Sequence, residues 1–258
     1  MSEDRQQLSR RVSRQRNSMI VVIFVALAAI VIAMAGIAVA AGSPRATAAA
    51  KVKPPKPPPA AQNKVTITST PVAVTFGGAS TVTGQVSGPG NGGVKVTLEQ
   101  SPYPYTGGFK PTGSTTTTTA TGGFSLAVTP SVSSHYVVAV KTKPAVTSPQ
   151  TAVAVRVKVS LGLSTMTPRR GQRVRFSGTV SPAHNGKTAQ IQKRTSTGAW
   201  KTVASATLVT AAPVNGVALS QYSKQLRTSR TATYRVQVNP ADGDHATGTS
   251  STRRVRVH

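Results

Sequence analysis

From residue 64 onward the chain alternates between apolar and polar positions. In RVRFSGTVSPAHNG (173–186), Val174, Phe176 and Val180 interleave with Arg173, Arg175, Ser177 and Thr179, the period-two pattern of a half-buried strand. The alternation continues to the C-terminus, interrupted by turn residues every eight to twelve positions, and no sustained helical stripe accompanies it. Short strands at this spacing predict an all-β fold of sandwich or barrel type. Gly178 falls on the apolar side of its strand, where an interior glycine weakens the sheet unless something packs closely on it.

Before residue 64 the pattern is different. Residues 19–41, MIVVIFVALAAIVIAMAGIAVAA, run 23 positions without a charge. At 1.5 Å per residue they reach about 34 Å, enough for a hydrocarbon core of ~30 Å. The preceding 1–18 carries Arg5, Arg10, Arg11, Arg14 and Arg16. Such a bias predicts a cytoplasmic tail, a transmembrane signal-anchor helix over 19–41, and an extracytoplasmic location for all that follows. Ala38-Val39-Ala40 fits the cleavage site of a removable signal peptide. The apolar run is longer than such peptides use, which favours a retained anchor; cleavage would leave the remainder secreted. Residues 42–63 form a Pro/Lys/Ala-rich linker, with Pro54, Pro55, Pro57, Pro58 and Pro59 among lysines. In polyproline II form it would reach about 65 Å.

The remainder repeats itself. Val82, Gly84, Val86, Ser87 and Asn91 recur 94 residues later as Phe176, Gly178, Val180, Ser181 and Asn185. TGGFK (106–110) returns as TGAWK (197–201), pairing Phe109 with Trp200. Phe124 and Tyr222 then each precede a strand tyrosine, Tyr136 or Tyr234, by twelve residues. Order and spacing are kept throughout, which predicts two tandem modules, 64–157 and 158–258. Each is expected to hold strands near 64–69, 80–87, 94–99, 109–119 and from 124, or near 158–163, 173–181, 188–194, 199–209 and from 222. The tyrosine strand and a closing strand (151–157; 252–257) follow. Seven strands in about 95–100 residues match an immunoglobulin-like sandwich. Tyr136 and Tyr234 fall where such folds place a corner tyrosine bonded to backbone. Gly84 and Gly178 are then expected to make room for the rings of Phe109 and Trp200.

The run GQRVRFSGTVSPAHNGKTAQIQKRTSTGAWKTVASA, ending in TYRVQV, resembles the Ig-like repeat of exported proteins in high-GC Gram-positive and related bacteria. There a Ser-Gly-Thr-Val strand is followed by a short turn, a Gln-Lys/Arg strand and a Trp with Thr-Val after it. The second copy fits closely. The first has Phe for Trp, Thr-Gly-Gln-Val for Ser-Gly-Thr-Val, and four extra residues around SPYPY. The resemblance implies an Ig-like fold and an exported, cell-envelope location. Because such repeats serve as adhesive, spacer or accessory modules, it implies no chemistry.

Composition narrows the function. There are 31 Lys and Arg against 5 Asp and Glu, a net charge of +26, and no cysteine. The charge predicts attraction to polyanions, and the missing cysteine excludes disulfides and thiolate chemistry. Beyond the anchor the carboxylates are Glu99, Asp242 and Asp244, and the histidines are scattered. No catalytic constellation emerges, so no enzyme activity and no cofactor are expected. NPADGDHATG (239–248) gathers Asp242, Asp244 and His245. A cation there would sit in a strongly basic module, so the segment reads as a polar turn and no metal site is assigned. Tyr103 and Tyr105 lie in one aromatic loop, SPYPYTGGF, suited to packing over the sheet edge or to stacking on a sugar. The run Thr115–Thr119 reads as strand or as an O-glycosylated tract.

Residues 64–157 carry six Lys/Arg and one acid, whereas 158–258 carry sixteen and two. Alternation points Arg194, Arg235, Arg254 and Arg256 outward from neighbouring strands of one sheet, and places Arg173, Arg175 and Arg227 on the opposite sheet. Lys224 falls on the inward side of its strand. These faces are expected to meet an anionic cell-wall polymer, lipid headgroup or glycan. A protein partner is a rival expectation. Nucleic acid is disfavoured, because aromatic and basic residues do not interleave on the expected sheets.

Overall fold

In the computed structural model, which describes residues 62–258, the alternating segments form strands and no helix occurs among the described residues. Residues 1–61, including the expected anchor 19–41 and nearly all of the linker, lie outside the described residues. The first half contains β1 (Lys64–Thr70), β2 (Ala73–Thr75), β3 (Ser80–Ser87), β4 (Lys95–Pro102), β5 (Lys110–Thr117), β6 (Gly123–Val128), β7 (Ser134–Val140), β8 (Val146–Thr147) and β9 (Thr151–Arg156). One sheet has the order β1-β3-β6. The other runs β2-β9-β7-β4-β5, with β8 on β7. Pairing is antiparallel except between β2 and β9.

The second half contains β10 (Lys158–Val159), β11 (Gly162–Leu163), β12 (Arg173–Ser181), β13 (Thr188–Arg194), β14 (Trp200–Thr207), β15 (Val209–Val214), β16 (Val217–Arg227), β17 (Ala232–Val238), β18 (Gly248–Thr249) and β19 (Arg253–Val255). Its sheets are β10-β12-β16-β15, with β11 on β12, and β14-β13-β17-β18, with β19 on β17. Each half thus buries apolar residues between two sheets. Val82, Val86, Leu98 and Val138 belong to one cluster, which reaches Val155; Val174, Phe176, Ile191 and Val236 belong to another, which begins at Val157. The architecture is all-β and sandwich-like, because period-two strands leave one apolar face per sheet to cover.

The expected strand over 199–209 is broken. Leu208 turns inward and is 1% exposed, ending β14, and β15 then joins the opposite sheet. Asn215 (φ 51°) and Gly216 (φ 76°) connect β15 to β16, with the left-handed pair that tight hairpins need. β16 therefore starts at Val217, well before Tyr222.

The two strand glycines face different rings from those expected. Gly84 is paired directly with Phe124, and Gly178 with Tyr222. A Cβ on Gly178 would lie 2.7 Å from Tyr222 Oη and 2.8 Å from the Ser160 carbonyl carbon. One on Gly84 would lie 2.9 Å from Phe124 Cε1 and also strike the Thr66 carbonyl oxygen. Phe109 is instead 37% exposed, and Trp200 is half-buried on an outer sheet face. The corner-tyrosine expectation is corrected too. Tyr136 and Tyr234 are buried core residues, with the Tyr234 ring edge-on to Phe176 at 5.0 Å. The tyrosine hydroxyl that donates to backbone is that of Tyr222, 2.6 Å from the Ser160 carbonyl oxygen. Burial raises all three phenols, Tyr136 to about 12 despite the Ser134 hydroxyl beside it.

The described residues belong to one compact unit. Where the halves meet, Arg156 bridges Ala246. Ala246 N–H donates to the Val155 carbonyl at 2.7 Å, and Ser133 N–H to the Asp244 carbonyl at 2.8 Å.

Candidate functional site

The second half presents an arginine face on the β14-β13-β17 sheet. Ile191, Val236 and Val255 are fully buried, so alternation turns their neighbours outward. Register sets Arg194 opposite Trp200, Gln192 opposite Arg235, and Arg254 opposite Thr233. Arg194 and Arg254 are exposed and share that face with Arg235. Arg235 Nε donates to Gln192 Oε1 at 2.8 Å, and its guanidinium carbon lies 4.3 Å from the Trp200 ring centre. Burial lowers its pKa from the ordinary guanidinium value. Arg256 follows the end of β19, where its N–H donates to the Met166 carbonyl at 2.7 Å, and its side chain is exposed.

No arginine or lysine among the described residues forms an ion pair with a carboxylate. On the other sheet, Arg173 stands directly opposite Arg227, and Arg175 opposite Gln225. Like charges facing across a ladder destabilise it unless a counter-charge intervenes. Arg175 also lines an open groove of ≈ 570 Å³ with Thr179, Val209, Gln221 and Ser223. Lys224 does take the inward register, opposite Phe176, yet is exposed.

The aromatic loop folds back onto the second half. Tyr105 stacks on His135 with centroids 4.0 Å apart, and Tyr103 meets Tyr105 edge-on at 5.6 Å. Tyr103 also covers Gly243, where an added Cβ would lie 2.6 Å from its ring. Gly243 has φ +86°, so both conformation and contact require glycine there.

The 239–248 turn is more than a polar connection. It brings Asp242, Asp244 and His245 against His184, which lies on the turn between β12 and β13. His184 Nε2 is 3.2 Å from Asp242 Oδ2, and His245 Nδ1 is 3.0 Å from Asp244 Oδ1. The two imidazoles meet edge-on at 5.1 Å, and Phe76 lies 6.0 Å from His245. Both histidines are buried. Burial raises the Asp244 carboxyl, but Asp242, His245 and His184 beside it more than offset this and hold it below its usual value. Among the described residues these four are the group that could hold a metal ion. Sequence spacing placed Asp242, Asp244 and His245 together; His184, far upstream on another turn, carried no local signal.

No protein-family model matches the chain, and no curated protein matches it. Among solved structures, one described as "Crystal Structure of Rst D1-D2" is similar over 72% of this chain and 94% of that chain, at 14% identity and a TM-score of 0.30. A likeness at that level carries no inference.

Proposed function

We propose that this is a single-pass cell-envelope protein without enzymatic activity, its N-terminus cytoplasmic, anchored by residues 19–41 and extended by the linker 42–63. In this reading, 64–157 and 158–258 are two Ig-like modules of the exported bacterial type. The second module binds anionic envelope polymers, lipid headgroups or glycans through long-range attraction to its arginine faces. One observation carries the reading: Arg194, Arg235 and Arg254 share an outer sheet face, while both acids of that module, Asp242 and Asp244, sit with the histidines. A surface built only for solubility mixes both signs of charge.

A purely structural spacer is the second reading, and the contacts of Arg235 with Gln192 and Trp200 favour it, since they occupy one of the three guanidiniums internally. The two readings separate on an immobilised phosphodiester polymer, using the full chain in detergent. Replacing Arg194, Arg235 and Arg254 by Gln should weaken binding about tenfold or more, and replacing Arg173, Arg175 and Arg227 by less. Equal losses would reduce the account to bare net charge. Absence of wild-type retention would favour the spacer. Preference for single-stranded nucleic acid would instead assign Trp200 a stacking role.

A further inference from the structure

We propose that His184, His245, Asp242 and Asp244 form a binding site for a divalent transition-metal ion of the zinc type, at the junction between the two halves of the chain. The potential ligand atoms all lie within 4.8 Å of one another. Two imidazole nitrogens and two carboxylate oxygens make a donor set suited to zinc, whereas calcium takes six to eight oxygens.

The outer nitrogens of the rings give the first independent sign. His184 Nδ1 lies 2.9 Å from the Pro182 carbonyl oxygen, and His245 Nε2 lies 2.9 Å from that of Ser131. A carbonyl only accepts, so each outer nitrogen carries its proton and each inner nitrogen of a neutral ring presents a bare lone pair. Metal-ligating histidines are held in this way by outer-shell acceptors.

The inner nitrogens give the second sign. Each faces a carboxylate oxygen, at 3.2 Å for His184 with Asp242 and 3.0 Å for His245 with Asp244. Lone pairs so placed repel unless positive charge lies between them. A shared proton would need to lie near the line joining them. Yet His245 Nδ1 and Asp244 Oδ1 are both buried and make no hydrogen bond, with the His245 side chain 4% exposed. A tetrahedral ion with bonds of about 2.0–2.1 Å separates its ligand atoms by about 3.3–3.4 Å, near the two spacings observed.

Charge agrees with this arrangement. Two carboxylates and two neutral imidazoles balance a divalent cation, and they are both acids of the strongly basic second half. Four protein ligands fill the shell, so the ion would be structural rather than catalytic. Three ligands lie on the turn between β17 and β18, and the fourth on the turn between β12 and β13. Through the contact of His245 with Ser131, a bound ion would also fasten the second half to the first.

The test uses the full chain in detergent, stripped of metal by chelation and then titrated with Zn²⁺ or Co²⁺. The expected result is one saturable equivalent, intense visible cobalt bands of a tetrahedral site, and a higher melting temperature with Zn²⁺ but not with Mg²⁺ or Ca²⁺. H184Q and D244N should each weaken binding by more than the roughly ten- to hundredfold that loss of an outer-shell partner costs and abolish the cobalt bands. A variant with His135 and His258 replaced by Gln should bind like wild type. D242N, which leaves both imidazoles and the Asp244 carboxylate in place, decides the matter if H184Q or D244N fails to fold. Absence of cobalt bands in wild type, undiminished binding by the folded ligand variants, or loss of binding on removing His135 and His258 would overturn the proposal.

Discussion

The two halves repeat one interior and differ in what they place outside it. Leu98 and Ile191 occupy matching core positions, as do Tyr136 and Tyr234. One step along each strand, the first half pairs Glu99 with Val137, where the second pairs Gln192 with Arg235. An acid opposite an apolar residue has thus become an amide opposite a guanidinium. The inner face is constrained by packing, since buried volume changes cost stability wherever they fall. The outer face carries no such packing between sheets, so its charge is less constrained, even where Gln192 and Val137 are covered by neighbouring side chains. That divergence is where the functional reading lies.

The largest effect on this comparison should come from Gly178→Val. The new side chain would collide with the Ser160 carbonyl and Tyr222, so a loss of about 3 kcal/mol, or failure to fold, is expected by thermal or denaturant unfolding. Gly84→Val should cost a similar amount against Thr66 and Phe124. A mild effect at only one site would show that the repeated glycines are not equivalent.

Tyr222→Phe comes next. It removes the 2.6 Å hydrogen bond to Ser160 and leaves its carbonyl to find another donor, so a loss of about 1 kcal/mol is expected. The variant also makes the second half resemble the first, which carries Phe124 at that place. If stability is unchanged, the hydroxyl is dispensable and the two copies are interchangeable there.

Trp200→Ala tests the outer face. A double-mutant cycle with Arg235→Gln should give a coupling of about 0.5–1 kcal/mol for the guanidinium over the indole. No coupling would mean that the stack is incidental. The smallest effect is alkaline. With Tyr136 raised to about 12, the folded state keeps its proton after the unfolded chain has released its own. This contribution is complete below pH ~10 and is lost as pH rises through about 12. Tyr136→Phe should flatten that limb of the stability profile, and an unaltered profile would contradict the assignment.

Much of the fold was legible because period-two alternation reports burial directly. Val174, Phe176 and Val180, inward by alternation, are fully buried. The ring beside Gly178 is Tyr222 rather than the expected Trp200, because it is set by the pairing of β12 with β16, strands separated in the chain by three others. The β15–β16 hairpin has a local signal of its own, Asn215-Gly216 between apolar residues. The histidine–aspartate cluster had only part of one. Its three turn residues are adjacent in sequence, but His184 joins them only when two turns converge, and no spacing rule anticipates that. Tyr103 over Gly243 is of the same kind, a contact between the halves that neither half encodes alone.

The arginine face is tested most directly by the salt dependence of binding. For the full chain on a phosphodiester polymer, the logarithm of the association constant should fall linearly with the logarithm of salt concentration. Replacing Arg194, Arg235 and Arg254 by Gln should make that slope shallower by about two, as expected when three phosphate contacts are removed. A slope left unchanged by the triple substitution would contradict the account.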